Sequence, residues 1–77
     1  MPRYYFDVTD DSGLHTDDLG IDLPSMDAAI MEARRALADM TRESLIGHNP
    51  ATLSIRIRDG AEGPVKLFVS MTTERPA

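Results

Sequence analysis

Hydrophobic and polar positions alternate in two long stretches near the end of the chain and one at its start. Between them they recur at a helical period. Residues 3–9 read Arg-Tyr-Tyr-Phe-Asp-Val-Thr, an aromatic and β-branched run. Period two puts Tyr4, Phe6 and Val8 on one face of a strand, and Arg3, Tyr5, Asp7 and Thr9 on the other. Asp10-Asp11-Ser12-Gly13 then predicts a turn, because Asp and Ser bond to nearby backbone and Gly supplies positive φ. Leu53, Ile55 and Ile57 alternate with polar residues over 52–58, and Val65, Leu67, Val69 and Met71 do so over 65–71. With Asp59-Gly60-Ala61-Glu62-Gly63-Pro64 between them, these two runs predict a hairpin. Gly63-Pro64 lies where it can alter the register of the last strand.

Met26, Ile30, Ala33, Leu37 and Met40 recur at spacings of 4, 3, 4 and 3, flanked by Ala29, Ala36 and Ser44. That is the apolar stripe of an amphipathic helix over about 26–46. Ser25 is its expected N-cap, Asp27 suits the positive end of the helix dipole, Gly47 is the expected C-cap and Pro50 forbids continuation. Glu32, Arg35, Asp39, Arg42 and Glu43 occupy the opposite side, with Arg35 and Asp39 spaced for an i,i+4 pair. Met31 lies off the stripe. Residues 14–23 are less regular. His15-Thr16-Asp17-Asp18 interrupts Leu14, and Gly20-Ile21-Asp22-Leu23 resumes with Ile21 and Leu23 facing inward. A second strand that is short, bent or interrupted, at a sheet edge, is expected there.

The resulting order is ββαββ: an α+β chain in which one long helix covers one face of an antiparallel sheet in two layers. The 77 residues allow a single domain, with an ordered core over about 2–71 and a frayed end over 72–77. So short a chain has a thin core and generally needs a staple. With no cysteine, disulfides and thiolate zinc sites are excluded, and oligomerisation is the remaining common staple, which makes a homodimer an expectation. No apolar run approaches a membrane span and the first residues lack the pattern of a signal peptide, so a cytoplasmic protein without membrane association is expected.

Charge changes the picture by its placement. The net charge is −5, and residues 1–25 carry that much alone, with Arg3 against Asp7, Asp10, Asp11, Asp17, Asp18 and Asp22. Residues 26–49 sum to −1 and residues 50–77 to +1. A net acidic chain is repelled by nucleic acid at long range, so nucleic acid is disfavoured as a partner. The acidic region fails as an EF-hand: with Gly13 at the sixth position, Val8 and Leu19 fall at the first and twelfth, and neither carries a ligand. A looser carboxylate site from Asp10, Asp11, Asp17 and Asp18 is weighed against a solvated turn, and the turn is expected. His15 and His48 are too few for a zinc site, and His48 is expected beside Gly47 at the helix end. No nucleophile elbow, phosphate loop or dinucleotide fingerprint occurs. No catalytic residue, cofactor or metal is expected.

The outward sheet face is the most informative feature. Arg3, Tyr5, Arg56, Arg58, Lys66 and Phe68 fall on it with Asp7, Thr9, Ser54 and Ser70, which places half of the eight basic residues beside two aromatic rings. Tyr, Phe and Arg are anchors of protein interfaces. Aromatic rings with Arg are also the elements of a nucleic-acid platform. A merely solvated face, with cross-strand pairs such as Tyr5 with Phe68 or Asp7 with Arg56, is the plain alternative.

The opening Met-Pro-Arg-Tyr-Tyr-Phe-Asp-Val, the segment Asp17-Asp18-Leu19-Gly20-Ile21-Asp22-Leu23-Pro24-Ser25-Met26-Asp27-Ala28-Ala29 and the closing hairpin with Ile57-Arg58-Asp59 together resemble a known family. It is a family of very small bacterial proteins, common in rhizobia and related alphaproteobacteria, called domain of unknown function 6894. The resemblance spans nearly the whole chain, and it implies no activity and no functional residue. A more distant likeness, in Pro24, Ala28 and Ala29, is to the partner-binding domain of HicB-type antitoxins. The expected function is a non-enzymatic small protein-interaction domain, homodimeric in one form. The alternative is a nucleic-acid or antitoxin-like regulatory binder using the same basic and aromatic face.

Overall fold

The computed structural model describes residues 1–10, 12–47, 52–59, 63–71 and 74–76. Its elements are β1 (Arg3–Asp10), β2 (Gly13–His15), β3 (Ile21–Asp22), α1 (Met26–Ile46), β4 (Thr52–Arg58) and β5 (Val65–Ser70). The architecture is α+β, with one helix packed on an antiparallel sheet ordered β2-β1-β4-β5, and β3 also pairs with β1. The stop at Pro50, the place of His48, the side chain of Asp11, the centre of the hairpin turn and residues 72, 73 and 77 of the expected frayed end lie outside the described residues.

The helix begins where its capping residue allows. Ser25 is extended, and its hydroxyl oxygen accepts a hydrogen bond from the Ala28 backbone N–H at 3.2 Å. At the other end the Gly47 N–H donates to the Glu43 carbonyl at 2.9 Å, with φ of −100°, so the cap is not the left-handed turn that glycine usually supplies there. Met26, Ala29, Ala33, Leu37 and Ser44 are buried. Ala29 and Ala33 are fully covered, and their small side chains let the helix backbone approach the sheet. Arg35 pairs with Glu32 at 2.9 Å rather than with Asp39, and both partners stay largely exposed. Met31 is half exposed, as its position off the stripe predicts.

The inward faces of the strands meet this stripe. Tyr4, Leu53, Ile55 and Ile57 are buried with the helical residues, and Phe6, Val8, Val65, Leu67 and Val69 pack around them partly covered. The gradient has a simple cause: α1 lies over β4, touches β5 less and touches β1 least. Ile21, opposite buried Tyr4, faces the helix side as expected and shares a depression with Ala33 and Ala36, yet it is half exposed because β3 lies at the margin of the helix's cover. The peptide before Pro64 is cis, and the β4–β5 ladder runs unbroken from Ile57 opposite Val65 to Thr52 opposite Ser70.

The second strand is two strands. From Val8 opposite His15 to Tyr4 opposite Ile21, the edge chain uses six residues where β1 uses four. Two extra residues therefore bulge out around Asp17-Asp18-Leu19-Gly20, and because the excess is even, the facing of β3 is kept. Gly20 makes the bulge close. Its φ is +73°, and a Cβ there would lie 2.7 Å from Arg3 Cγ and 2.9 Å from a Tyr5 ring carbon. Gly20→Ala is expected to destabilise the fold by about 1–3 kcal/mol, a Tm decrease of roughly 5–20 °C in thermal unfolding. Gly13→Ala, strained in φ but facing open space, should cost less.

Candidate interaction face

On the outer face of the sheet a single carboxylate organises the first half. Asp7 points away from the helix, yet it is 7% exposed, because the bulge folds over it. Arg58 grips it with two bonds, Nε to Oδ2 at 2.7 Å and Nη2 to Oδ1 at 3.1 Å. The same Nη2 also donates to the Asp17 carbonyl at 3.0 Å, and the Asp17 N–H donates to Asp7 Oδ1 at 3.0 Å. The guanidinium of Arg58 lies over the Tyr5 ring, 5.1 Å from its centroid. Register explains the partnership. Asp7 is directly opposite Arg56 and Tyr5 is opposite Arg58, so the ion pair runs diagonally and leaves Arg58 above Tyr5.

Asp17 repays the two-residue bulge. An uninterrupted β2 would bring a backbone carbonyl to the Phe6 N–H; instead Asp17 Oδ2 accepts that hydrogen bond at 3.0 Å. Asp17 Oδ1 accepts from the Leu19 and Gly20 N–H groups at 3.0 and 3.1 Å. The carboxylate thus substitutes for a strand carbonyl and closes its own loop. Arg3 ties down the far end, with Nε donating to Asp22 at 3.0 Å and Nη1 to the Leu19 carbonyl at 3.0 Å. At the near end Asp10 Oδ1 accepts from the Ser12 N–H at 2.9 Å and the Ser12 hydroxyl at 2.7 Å, with His15 Nε2 at 3.2 Å. Asp7, Asp10 and Asp17 therefore accept backbone amides of the turn and bulge, and Asp17 is already occupied. His15 meets Asp10 across the turn. Among the described residues no group of three or more potential ligands could hold a metal ion.

The six residues expected to form one surface divide in two. Arg3, Tyr5 and Arg58 are bound into the bulge. Arg56, Lys66 and Phe68 stay open, and Phe68 is 66% exposed. Tyr5 and Phe68 are not neighbours, because β4 separates their strands; Phe68 lies opposite Ser54 instead. Lys66 and Phe68 line a depression of 340 Å³ with Thr9, Thr52 and Ser54. Arg56 and Lys66 are directly opposite one another on adjacent strands, and among the described residues neither forms an ion pair or side-chain hydrogen bond. This like-charge pair escapes a one-dimensional reading, since it depends on the β4–β5 register.

A family model described as domain of unknown function (DUF6894) matches residues 3–69. The chain belongs to this family. The match runs from the first residue of β1 to within one residue of the end of β5, so the DUF6894 unit includes the bulge, the helix and the hairpin. Neither the curated proteins nor the solved structures contain a match. No described helix of this DUF6894 chain is long and apolar enough to cross a membrane.

The bulge carboxylates set a pH dependence. Arg58 holds the Asp7 carboxyl below its usual range, helped by the Asp17 amide. The Phe6 N–H, followed by those of Gly20 and Leu19, does the same for Asp17. With folded values below the unfolded one of about 3.9, both groups stabilise the fold at neutral pH, and that contribution fades as pH falls below about 4. Tm should be nearly flat from pH 7 to 5 and fall at lower pH. Asp17→Asn turns an amide N–H toward a backbone donor. It should lower Tm at pH 7 and narrow its gap to the wild type toward pH 2, as read by circular dichroism melts.

Proposed function

We propose that this DUF6894 chain is a non-enzymatic protein-interaction domain that receives its partner on the open half of the outer sheet face. The observation that carries this reading is the Arg56–Lys66 pair beside exposed Phe68. Like charges directly opposite in a sheet cost stability, whereas a partner carboxylate placed between them would be held by both. Phe68 supplies the adjoining apolar anchor. The carboxylates with shifted affinities support a non-catalytic reading, because each is engaged in holding the fold: Asp7 by Arg58, Asp10 by Ser12, Asp17 by backbone amides and Asp22 by Arg3. A cytoplasmic setting is part of the same proposal.

The nucleic-acid alternative loses two of its four cations to the bulge, and the remaining pair sits on a chain of charge −5. Lys66→Glu turns the like-charge pair into an opposite one. It should raise the stability of the isolated domain by about 0.2–1 kcal/mol, measured by urea unfolding. Arg56→Glu should abolish capture of the partner by the immobilised domain. Retention of RNA or single-stranded DNA that falls steeply with salt would replace the protein reading with the nucleic-acid one.

A further inference from the structure

The two edges of the sheet are finished differently. The β2/β3 edge is broken into strands of three and two residues with a bulge between them, which blocks strand addition. The β5 edge is a regular six-residue strand, and its outer row of backbone N–H and C=O groups meets no other strand among the described residues. Between α1 and β5 lies a groove of 520 Å³, with Leu37, Ala38, Leu67 and Val69 among its walls and Arg34 on its rim. Charge is sorted about this edge. Arg34, Ala38 and Arg42 follow one another at i, i+4 and i+8, so Arg42 shares the groove flank of the helix. Glu32, Asp39 and Glu43 run along the other flank, where Glu32 lines a depression over β1. On the outer side of the sheet stand Lys66 and Arg56. Cations thus bracket the β5 edge in both layers. Among the described residues none of these four forms an ion pair, whereas Arg3, Arg35 and Arg58 each hold a carboxylate.

We propose that an extended acidic segment of another protein adds to the β5 edge as a strand. The inference rests on reading the chain as an interaction domain, and it names that partner's chemistry and its mode of binding. In strand addition, main-chain hydrogen bonds supply affinity and side chains on alternating faces supply selectivity. On the outer face the segment sets a carboxylate beside Lys66 and an apolar side chain beside Phe68. On the inner face apolar side chains enter the groove, with carboxylates before and after them for Arg34 and Arg42. The helix is placed to receive them. It lies over β4 and touches β5 more than β1, so a strand beyond β5 makes β4 the middle of the sheet order. A strand two places from β4 reaches the helix flank: on the opposite side β3 pairs with β1, and its Ile21 shares a depression with Ala33 and Ala36. Charge selects the occupant. A β5 edge paired with its own copy would bring two sets of these cations together, whereas an acidic strand meets them on both faces. The acids Asp7, Asp10, Asp17 and Asp22 of this chain are already engaged within the turn and bulge.

The probe is the end-blocked peptide Glu-Glu-Glu-Val-Phe-Val-Glu-Glu-Glu, which reads the same in both directions. Titrated into the isotope-labelled full chain at about 150 mM salt, it should shift the backbone amide signals of Val65–Ser70 in nuclear magnetic resonance and slow their exchange with water, leaving those of β2 and β3 unmoved. Alternate N–H groups of an added strand face opposite edges. N-methylation at the peptide's Phe and N-methylation at its two Val residues should therefore differ, one abolishing binding and the other being tolerated. Arg34→Glu, at an exposed helix position, should keep the circular dichroism of the chain and weaken the peptide at least fivefold. The same peptide with Lys for Glu should not bind. Unmoved β5 amides at millimolar peptide overturn the proposal. So does binding that tolerates both methylation patterns, which makes the surface a charged patch only. A free chain that sediments as a dimer with its β5 amides already protected overturns it in favour of self-pairing. Partner capture is read separately: capture that needs Arg56 but ignores Arg34→Glu sinks strand addition and leaves the interaction reading standing.

Discussion

The burial of the Asp7 carboxylate on the solvent side of the sheet is the constraint on which the outer face depends. A buried carboxylate must be matched by donors or the fold loses more than it gains. Arg58 supplies two bonds and the Asp17 N–H a third. Arg58 is in turn held over Tyr5 and against the Asp17 carbonyl. That arrangement pins the bulge to β1, and the bulge splits the edge into β2 and β3. One irregular edge, one ordered half-face and one open half-face all follow from the same cluster.

The division has an energetic logic for a chain this small. Its core rests on three fully buried larger side chains, Tyr4, Ile55 and Ile57, with small alanines opposite them. A core of that size leaves little margin, so polar ties on the surface matter more than they would in a larger domain. The acidic first third of the sequence is where those ties are made. Asp7, Asp10, Asp17 and Asp22 bind backbone N–H groups and arginines of the same chain, so much of the acidic charge there belongs to a fastened loop. The positive charge of the sheet face that makes no ion pair among the described residues sits instead at Arg56 and Lys66, on the side that the bulge leaves open.

Much of the fold was legible in the sequence because each cue was local. Ser25 as a cap, the Met26-to-Met40 stripe and the alternation of 52–58 depend only on neighbours in the chain, and the helix spans the expected 26–46. Residues 14–23 revealed an interrupted edge but not its form. The substitution of the Asp17 side chain for a strand carbonyl joins residues eleven positions apart, and no period records it. The register sets residues that alternation assigned to the outer face opposite one another, while the partition of that face was hidden. Which arginine would take Asp7 was a question of diagonal against direct pairing, and Arg58 prevails by stacking on Tyr5 and reaching the Asp17 carbonyl. Membership of DUF6894 was legible in the turn, cap and hairpin residues together.

The partition of the outer face into a locked and an open half is most directly tested by the arginine side-chain N–H signals in nuclear magnetic resonance at neutral pH. The Nε–H of Arg58, bound to Asp7, should give a resolved signal in slow exchange with water, while that of Arg56 exchanges rapidly. An Arg58 Nε–H exchanging as fast as that of Arg56 would contradict the account.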